Sequence, residues 1–121
     1  MNIGITGKKG EDMVASFLRK KGCTIIKRNY SCRFGEIDII AQKGELLLFV
    51  EVKTRKENSL VSPREAVDSY KQHRMTLAAE DYMVKAEADT LQPRFDVAEV
   101  TVFTKPDNSQ GYNLNYIKNA F

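Results

Sequence analysis

A chain of 121 residues has room for one hydrophobic core and little more, so a single domain over residues 1–121 is expected. With 42% hydrophobic and 29% charged residues and only three prolines, it is neither a disordered nor a collagen-like chain. Its longest apolar run, Leu46 to Val50, is far too short to cross a bilayer, so no membrane partner is expected. Met1 to Gly10 carries lysines with no apolar stretch behind them, so no signal peptide is read there. Cys23 and Cys32 are then expected as reduced thiols of a cytoplasmic protein, and without a histidine near them they make a poor zinc site. The net charge of +3 is uneven: residues 1–75 carry 15 Lys/Arg against 9 Asp/Glu, and residues 76–121 carry 4 against 7. One positive face suited to a polyanion would give this split, and so would a solvated mixed-charge surface.

The first predicted element is a helix from about Thr6 to Lys21, in which Met13, Val14, Phe17 and Leu18 recur at helical spacing. Gly22 follows the basic run Arg19-Lys20-Lys21 where a C-cap glycine belongs. Cys23 to Tyr30 reads as a strand. Gly35 to Gln42 reads as a second, with Glu36, Asp38 and Ile40 expected on one face and Ile37, Ile39 and Ala41 on the other. Lys43-Gly44 signals a tight turn into a third strand, Glu45 to Thr54, whose unalternating apolar run fits a central strand covered on both faces.

After a polar connection from Arg55 to Val61, Ser62, Pro63 and Glu65 have the chemistry of a helix start. The helix is predicted to run to about Lys85 along a stripe of Val67, Tyr70, Arg74, Leu77, Ala78 and Tyr82, with both tyrosines in the core. Phe95 to Phe103 and Tyr112 to Ile117 read as two further strands joined by the turn-forming Lys105 to Gly111. The predicted class is α/β, a mixed β-sheet flanked by helices in the order αβββαββ.

Chemistry concentrates in the second and third strands. Asp38 interrupts an apolar strand, and Glu51 and Lys53 follow the apolar run of the next. Burying a carboxylate costs several kcal/mol, roughly, unless a cation compensates it. Glu51 and Lys53 share a strand face, and a hairpin at Lys43-Gly44 lets Asp38 lie across from them. Two carboxylates on adjacent strands make a hard oxygen site for Mg²⁺ (or Mn²⁺), with a lysine beside it to orient a nucleophile or offset transition-state charge. The Glu-x-Lys triplet alone is weak, since about 0.4 are expected by chance in a chain this size, and a same-face ion pair is the alternative reading. Its placement after an acid and an apolar hairpin is the rarer pattern that points to a metal site. Glu36 is a candidate outer-shell carboxylate or a solvated strand-end residue. Glu11 could reach the site if the first helix packs over the strand ends, or is simply an acid favoured near a helix start. Lys71 and Arg74 are candidate phosphate contacts or solvated helix residues. His73 is expected in solvent.

Taken together, Gly10-Glu11, Arg28-Asn29-Tyr30, Gly35-Glu36-Ile37-Asp38-Ile39-Ile40-Ala41, Phe49-Val50-Glu51-Val52-Lys53-Thr54-Arg55, Ala66-Val67 with Lys71, and Arg94-Phe95-Asp96-Val97 resemble the YraN family of bacterial proteins over about residues 6 to 117. That family in turn resembles the PD-(D/E)xK nuclease superfamily, nearest to Holliday-junction resolvases. The resemblance implies a restriction-endonuclease-like sheet and a metal-dependent endonuclease acting on DNA, favoured over RNA, in branched or structured form. Asp38, Glu51 and Lys53 would be catalytic, Glu11, Asp38 and Glu51 would hold Mg²⁺ (or Mn²⁺), and Arg55, Lys71 and Arg74 would contact phosphates. Ile37 stands where the superfamily often has proline. Resolvase-like enzymes cut paired strands as dimers, so a homodimer is implied as well. The alternatives are a nucleic-acid binding module that keeps the fold without turnover, or a protein-interaction domain contacting its partner through the acidic C-terminal third.

Overall fold

The computed structural model describes residues 3–57 and 67–121. The elements follow the predicted order: α1 (Ile3–Lys20), β1 (Thr24–Cys32), β2 (Gly35–Lys43), β3 (Leu46–Lys56), α2 (Ser69–Lys85), β4 (Gln92–Thr104) and β5 (Gln110–Ile117). The five strands form one sheet in chain order, antiparallel throughout except for the parallel pair β3–β4 that α2 connects. No helix among the described residues is long and apolar enough to cross a membrane.

The two helices lie on opposite faces of the sheet. Val14, Ala15 and Leu18 of α1 pack with Ile39, Ala41, Leu48, Val50, Ala98 and Val100, while Ala78 and Ala79 of α2 pack with Tyr30, Ile37, Ile40, Leu47 and Phe49. Alternate residues of the Leu47–Val50 run therefore enter different cores, which is why that run shows no polar alternation. Each such fully buried side chain contributes about 1.5–3 kcal/mol.

Helix ends are closed by local chemistry. Gly22 takes φ 90 past the end of α1, and the Cys23 N–H to Leu18 C=O and Gly22 N–H to Arg19 C=O bonds complete a Schellman turn. The start of α2 differs from the sequence expectation. Asp68, in extended backbone, caps the helix by accepting the Lys71 N–H at 2.9 Å, whereas Ser62, Pro63 and Glu65 lie outside the described residues. The buried face of α2 runs through Met75, Ala78 and Ala79, and Tyr82 packs edge-on against Tyr30 and Phe49. Tyr70 is not in the core: one turn ahead of Arg74, it is turned outward and is 69% exposed.

A second correction concerns β2. Ile37 joins Ile40 in the α2-side core, not Ile39 and Ala41 on the α1 side, so strict alternation breaks at Asp38. The cause is a change in pairing. The β2–β3 ladder ends at Ile39–Val50, while β2 stays paired with β1 as far as Cys32–Gly35. Asn29, which lies between the Arg28–Ile39 and Tyr30–Ile37 pairs, has φ 54, and a bulge at Ile26 precedes it. The tip of the β1–β2 hairpin thus peels away from β3 at Asp38.

Helix α1 approaches β3 closely at one point. A Cβ built on Gly10 would collide with Thr54 Oγ1 but would keep an ordinary 3.5 Å separation from Thr54 Cβ. Gly10→Ala in the wild-type background is expected to cost about 1–3 kcal/mol through overpacking. In a Thr54→Ala background the same change should be neutral or stabilising by up to about 1 kcal/mol, because alanine is the better helix former. Urea midpoints of the four proteins in this cycle test it; equal effects in both backgrounds would show that Gly10 is not a contact glycine.

Candidate functional site

The site is built where the hairpin leaves the sheet. Continuing the β2–β3 register would set Val52 against Ile37; instead the Val52 N–H donates to Asp38 Oδ2 at 2.8 Å. The same bond holds Asp38 beside the next residue of β3 that faces α2, Glu51. Glu51 is buried at 4% exposure, and its Oε1 lies 3.3 Å from Lys53 Nζ and 3.5 Å from Lys71 Nζ. Lys53 reaches it by the two-residue strand repeat, and Lys71 from the first turn of α2, where the Asp68 cap fixes its backbone. The structure therefore brings Asp38, Glu51, Lys53 and Lys71 together.

The charges are unevenly compensated. Burial first, then the charge of Glu51, push the Asp38 carboxyl up to about 7, against the lowering effect of the Val52 N–H. The Glu11 charge also raises it and the Lys71 charge lowers it. The ionised form of Asp38 is thus held at a disadvantage by its surroundings.

The other predicted residues divide. Glu11 approaches from the α1 side, but the Arg28 guanidinium takes it at 3.4 Å and takes its neighbour Asp12 at 2.8 Å. Among the described residues no group of three or more His, Cys, Asp or Glu side chains is close enough to hold one metal ion. The set Glu11, Asp38 and Glu51 is therefore not gathered around a common point; the geometry offers the pair Asp38–Glu51. Arg55, partly exposed, is engaged away from the acidic pair: its Nη2 is ion-paired with the buried Glu99 carboxylate on β4. Arg74 donates Nε to the Phe34 carbonyl at 2.5 Å and Nη1 to Tyr70 Oη at 3.2 Å, so it braces the hairpin tip against α2. Lys71 and Arg74, with Glu36, Tyr70 and Ser31, line a cleft of about 380 Å³ between that tip and the start of α2. Glu36 sits exposed on its rim, and His73 is exposed as expected.

Sequence reading missed the roles of three charged residues. Arg28 controls Glu11, and Asp96 and Glu99 are buried in β4. Asp96 Oδ1 accepts from Arg94 Nε and the Asn119 N–H, and its Oδ2 from Arg94 Nη2 and Tyr116 Oη, all within 3.0 Å. The signal was available, since both acids interrupt an apolar strand as Asp38 does.

The sequence profile of the family described as "Uncharacterised protein family UPF0102" matches residues 10–100, a span that contains every residue of this site. Over 115 residues the chain is 44% identical to a UPF0102 protein of Clostridium perfringens, covering 95% of this chain and 92% of that one. It is 40% identical to a UPF0102 protein of Caldicellulosiruptor saccharolyticus and 42% identical to one of Dictyoglomus thermophilum, each over 121 residues and the whole of both chains. These matches bear out the YraN-family resemblance.

A carboxyl whose pKa rises on folding stabilises the fold below its unfolded value and loses that contribution as pH climbs through the folded value. For Asp38 the window runs from 3.8 to about 7. Metal-free protein should lose stability across it, whereas Asp38→Asn, which keeps an acceptor for Val52, should show a flatter profile and be more stable at pH 8 by roughly 1–3 kcal/mol. Urea unfolding at pH 4, 6 and 8 in EDTA tests this; a variant less stable than wild type at pH 8 contradicts it.

Proposed function

Because the chain belongs to the uncharacterised protein family UPF0102, whose description names no activity, we propose its function from the site: a metal-dependent endonuclease that hydrolyses phosphodiester bonds in DNA, with branched or otherwise structured DNA as its substrate, in the cytoplasm. The observation that carries this reading is the placement of Asp38 and Glu51 side by side where β2 leaves β3, with Lys53 and Lys71 on Glu51. An apolar interior does not tolerate two neighbouring carboxylates without compensation, and Asp38, raised to about 7, is under-compensated. A divalent cation would offset both charges. The donor set is all oxygen, which suits Mg²⁺ or Mn²⁺, and Mg²⁺ ordinarily takes one or two carboxylates and keeps waters. When bound, such an ion polarises the phosphodiester and acidifies a water.

The chain's own residues supply the rest. Asp38 and Glu51 would hold the cation, Asp38 from a carboxylate anchored by the Val52 N–H and Glu51 from a buried position on β3. Lys53, partly exposed and, among the described residues, tied only to Glu51, can turn to the attacking water and the phosphoryl oxygens as charge develops on them. Lys71, also partly exposed, offers an ammonium to the neighbouring phosphate. Glu11 and Arg28 set the field from the α1 side without entering the site.

The lysine pairing of Glu51 supports a second reading, a nucleic-acid binding module in which that ion-paired state is the working one. Cleavage separates the two. A panel of flap, junction, duplex and single-stranded DNA, incubated with and without Mn²⁺, should show EDTA-sensitive nicking that Asp38→Asn and Glu51→Gln abolish. Lys53→Met, which keeps much of the side-chain volume, should lower the single-turnover rate by about 10²–10³ while leaving DNA affinity within a small factor. A folded Lys53→Met protein that cuts as fast as wild type removes Lys53 from the mechanism. A wild type that binds but never cuts favours the binding module.

A further inference from the structure

The cleft beside the acidic pair contains a feature that phosphodiester hydrolysis does not use. Tyr70 is a large aromatic side chain on the first turn of α2, 69% exposed, immediately before Lys71 in sequence. Its ring is not loosely placed. The Arg74 guanidinium lies 5.7 Å from the ring centroid and bonds the hydroxyl at 3.2 Å, and the Phe34 carbonyl in turn anchors that guanidinium. An exposed aromatic held in one orientation is a poor use of core-forming surface but a good stacking platform, because little rotamer freedom remains to be lost when a ligand arrives.

We infer that Tyr70 forms a nucleobase subsite: an unpaired base of the DNA substrate stacks on its ring while Lys71 holds the adjoining phosphate next to Glu51. This rests on the nuclease reading and assigns its substrate class, a strand with unpaired nucleotides. Three observations support it. The cleft, at about 380 Å³, is at the small end of ligand sites and suits one nucleotide, not a duplex. Its cations are Lys71 and Arg74, one of which reaches toward the acidic pair, so ring and phosphate contact stand in the order in which a nucleotide presents base and backbone. Glu36, on the opposite wall, provides an acceptor for an exocyclic amino group on the base edge. In a duplex the base faces are covered by stacking and cannot reach the ring; in a single strand, a flap or a junction branch point they can.

The test is binding in EDTA, so that it does not depend on turnover. Fluorescence anisotropy is measured with a labelled 20-nucleotide oligothymidylate and a 20-base-pair duplex. Wild type should prefer the single strand. Tyr70→Ala should lose about 5- to 150-fold on oligothymidylate and less than about twofold on duplex, and Tyr70→Trp should keep single-strand affinity. The chain has no tryptophan, so Tyr70→Trp also introduces a single indole, whose emission should be quenched by oligothymidylate but not by duplex. Absence of single-strand binding, equal losses on both probes, or an indole blind to oligothymidylate would overturn the subsite. Mn²⁺-dependent cleavage that survives such a result leaves the endonuclease reading standing without the subsite. Single-strand preference and indole quenching without cleavage on any substrate leave the subsite standing on the binding-module reading instead.

Discussion

The hydrogen bond from the Val52 N–H to the Asp38 carboxylate stands where a backbone rung of the sheet would otherwise be. A strand that leaves its neighbour exposes N–H groups, and each one left buried and unpaired costs about as much as a lost hydrogen bond. Asp38 closes that gap with a side chain, so the separation of β2 from β3 is satisfied at the point where it begins. Much follows from the separation. It frees the hairpin tip to form one wall of the cleft, turns Ile37 into the α2-side core, and leaves Glu51, the next α2-facing residue of β3, beside a carboxylate in place of a backbone strand. Arg74 then secures the freed tip through the Phe34 carbonyl.

Four carboxylates interrupt apolar strands in this chain, and their partners sort them by role. Asp96 is fully buried and receives four donors, which accounts for its charge within the fold. Glu99 has Arg55. Glu51 has two ammonium groups on one oxygen. Among the described residues Asp38 has one donor, the Val52 backbone N–H, and a like charge beside it, and its carboxyl is pushed up to about 7. A buried acid with a complete set of donors is structural by its own arithmetic, because nothing further is needed to neutralise it. An acid left short of donors marks the place where the fold tolerates a local cost, and such places are where chemistry is found.

This sorting also explains what could be read from the sequence. Element order was legible because periodicity and punctuation agree: Gly22 ends α1 with the turn its position implies, and the Leu46–Val50 run announces a strand covered twice. Asp38, Glu51 and Lys53 were legible because a charged residue in an apolar strand is a visible anomaly. The facing of Ile37 was not, since period-two alternation assumes an unbroken ladder and nothing in the local sequence says that the pairing stops at Ile39. The employment of Arg28, Arg55 and Arg74 was hidden for a different reason. Each is bonded to a group from another part of the chain, Glu11 and Asp12, Glu99 and the Phe34 carbonyl, and a sequence shows a cation without showing its distant partner. Tyr70 fell on the predicted stripe because helical spacing cannot separate a core position from one a turn earlier that is turned to solvent.

The acidic pair draws on stability supplied elsewhere. Two close carboxylates in a partly buried setting cost the fold on the order of a few kcal/mol, a large fraction of the 5–15 kcal/mol by which domains are ordinarily stable. The cost falls on β3, a central strand of the sheet. It pairs antiparallel with β2 on one side and parallel with β4 along its whole length on the other, and its side chains enter both cores. A weaker strand would relieve the repulsion by moving; the register from Leu46–Gln92 to Lys56–Val102 gives β3 no such freedom. Asp38 cannot withdraw either, because the hydrogen bond that closes the split fixes it to Val52. The repulsion is therefore relieved by cations that can be exchanged: Lys53 and Lys71 reach Glu51 at 3.3 and 3.5 Å and remain about a third exposed. Fixed acids paired with movable cations distinguish this cluster from the Asp96 network, in which a fully buried carboxylate receives four donors within 3.0 Å.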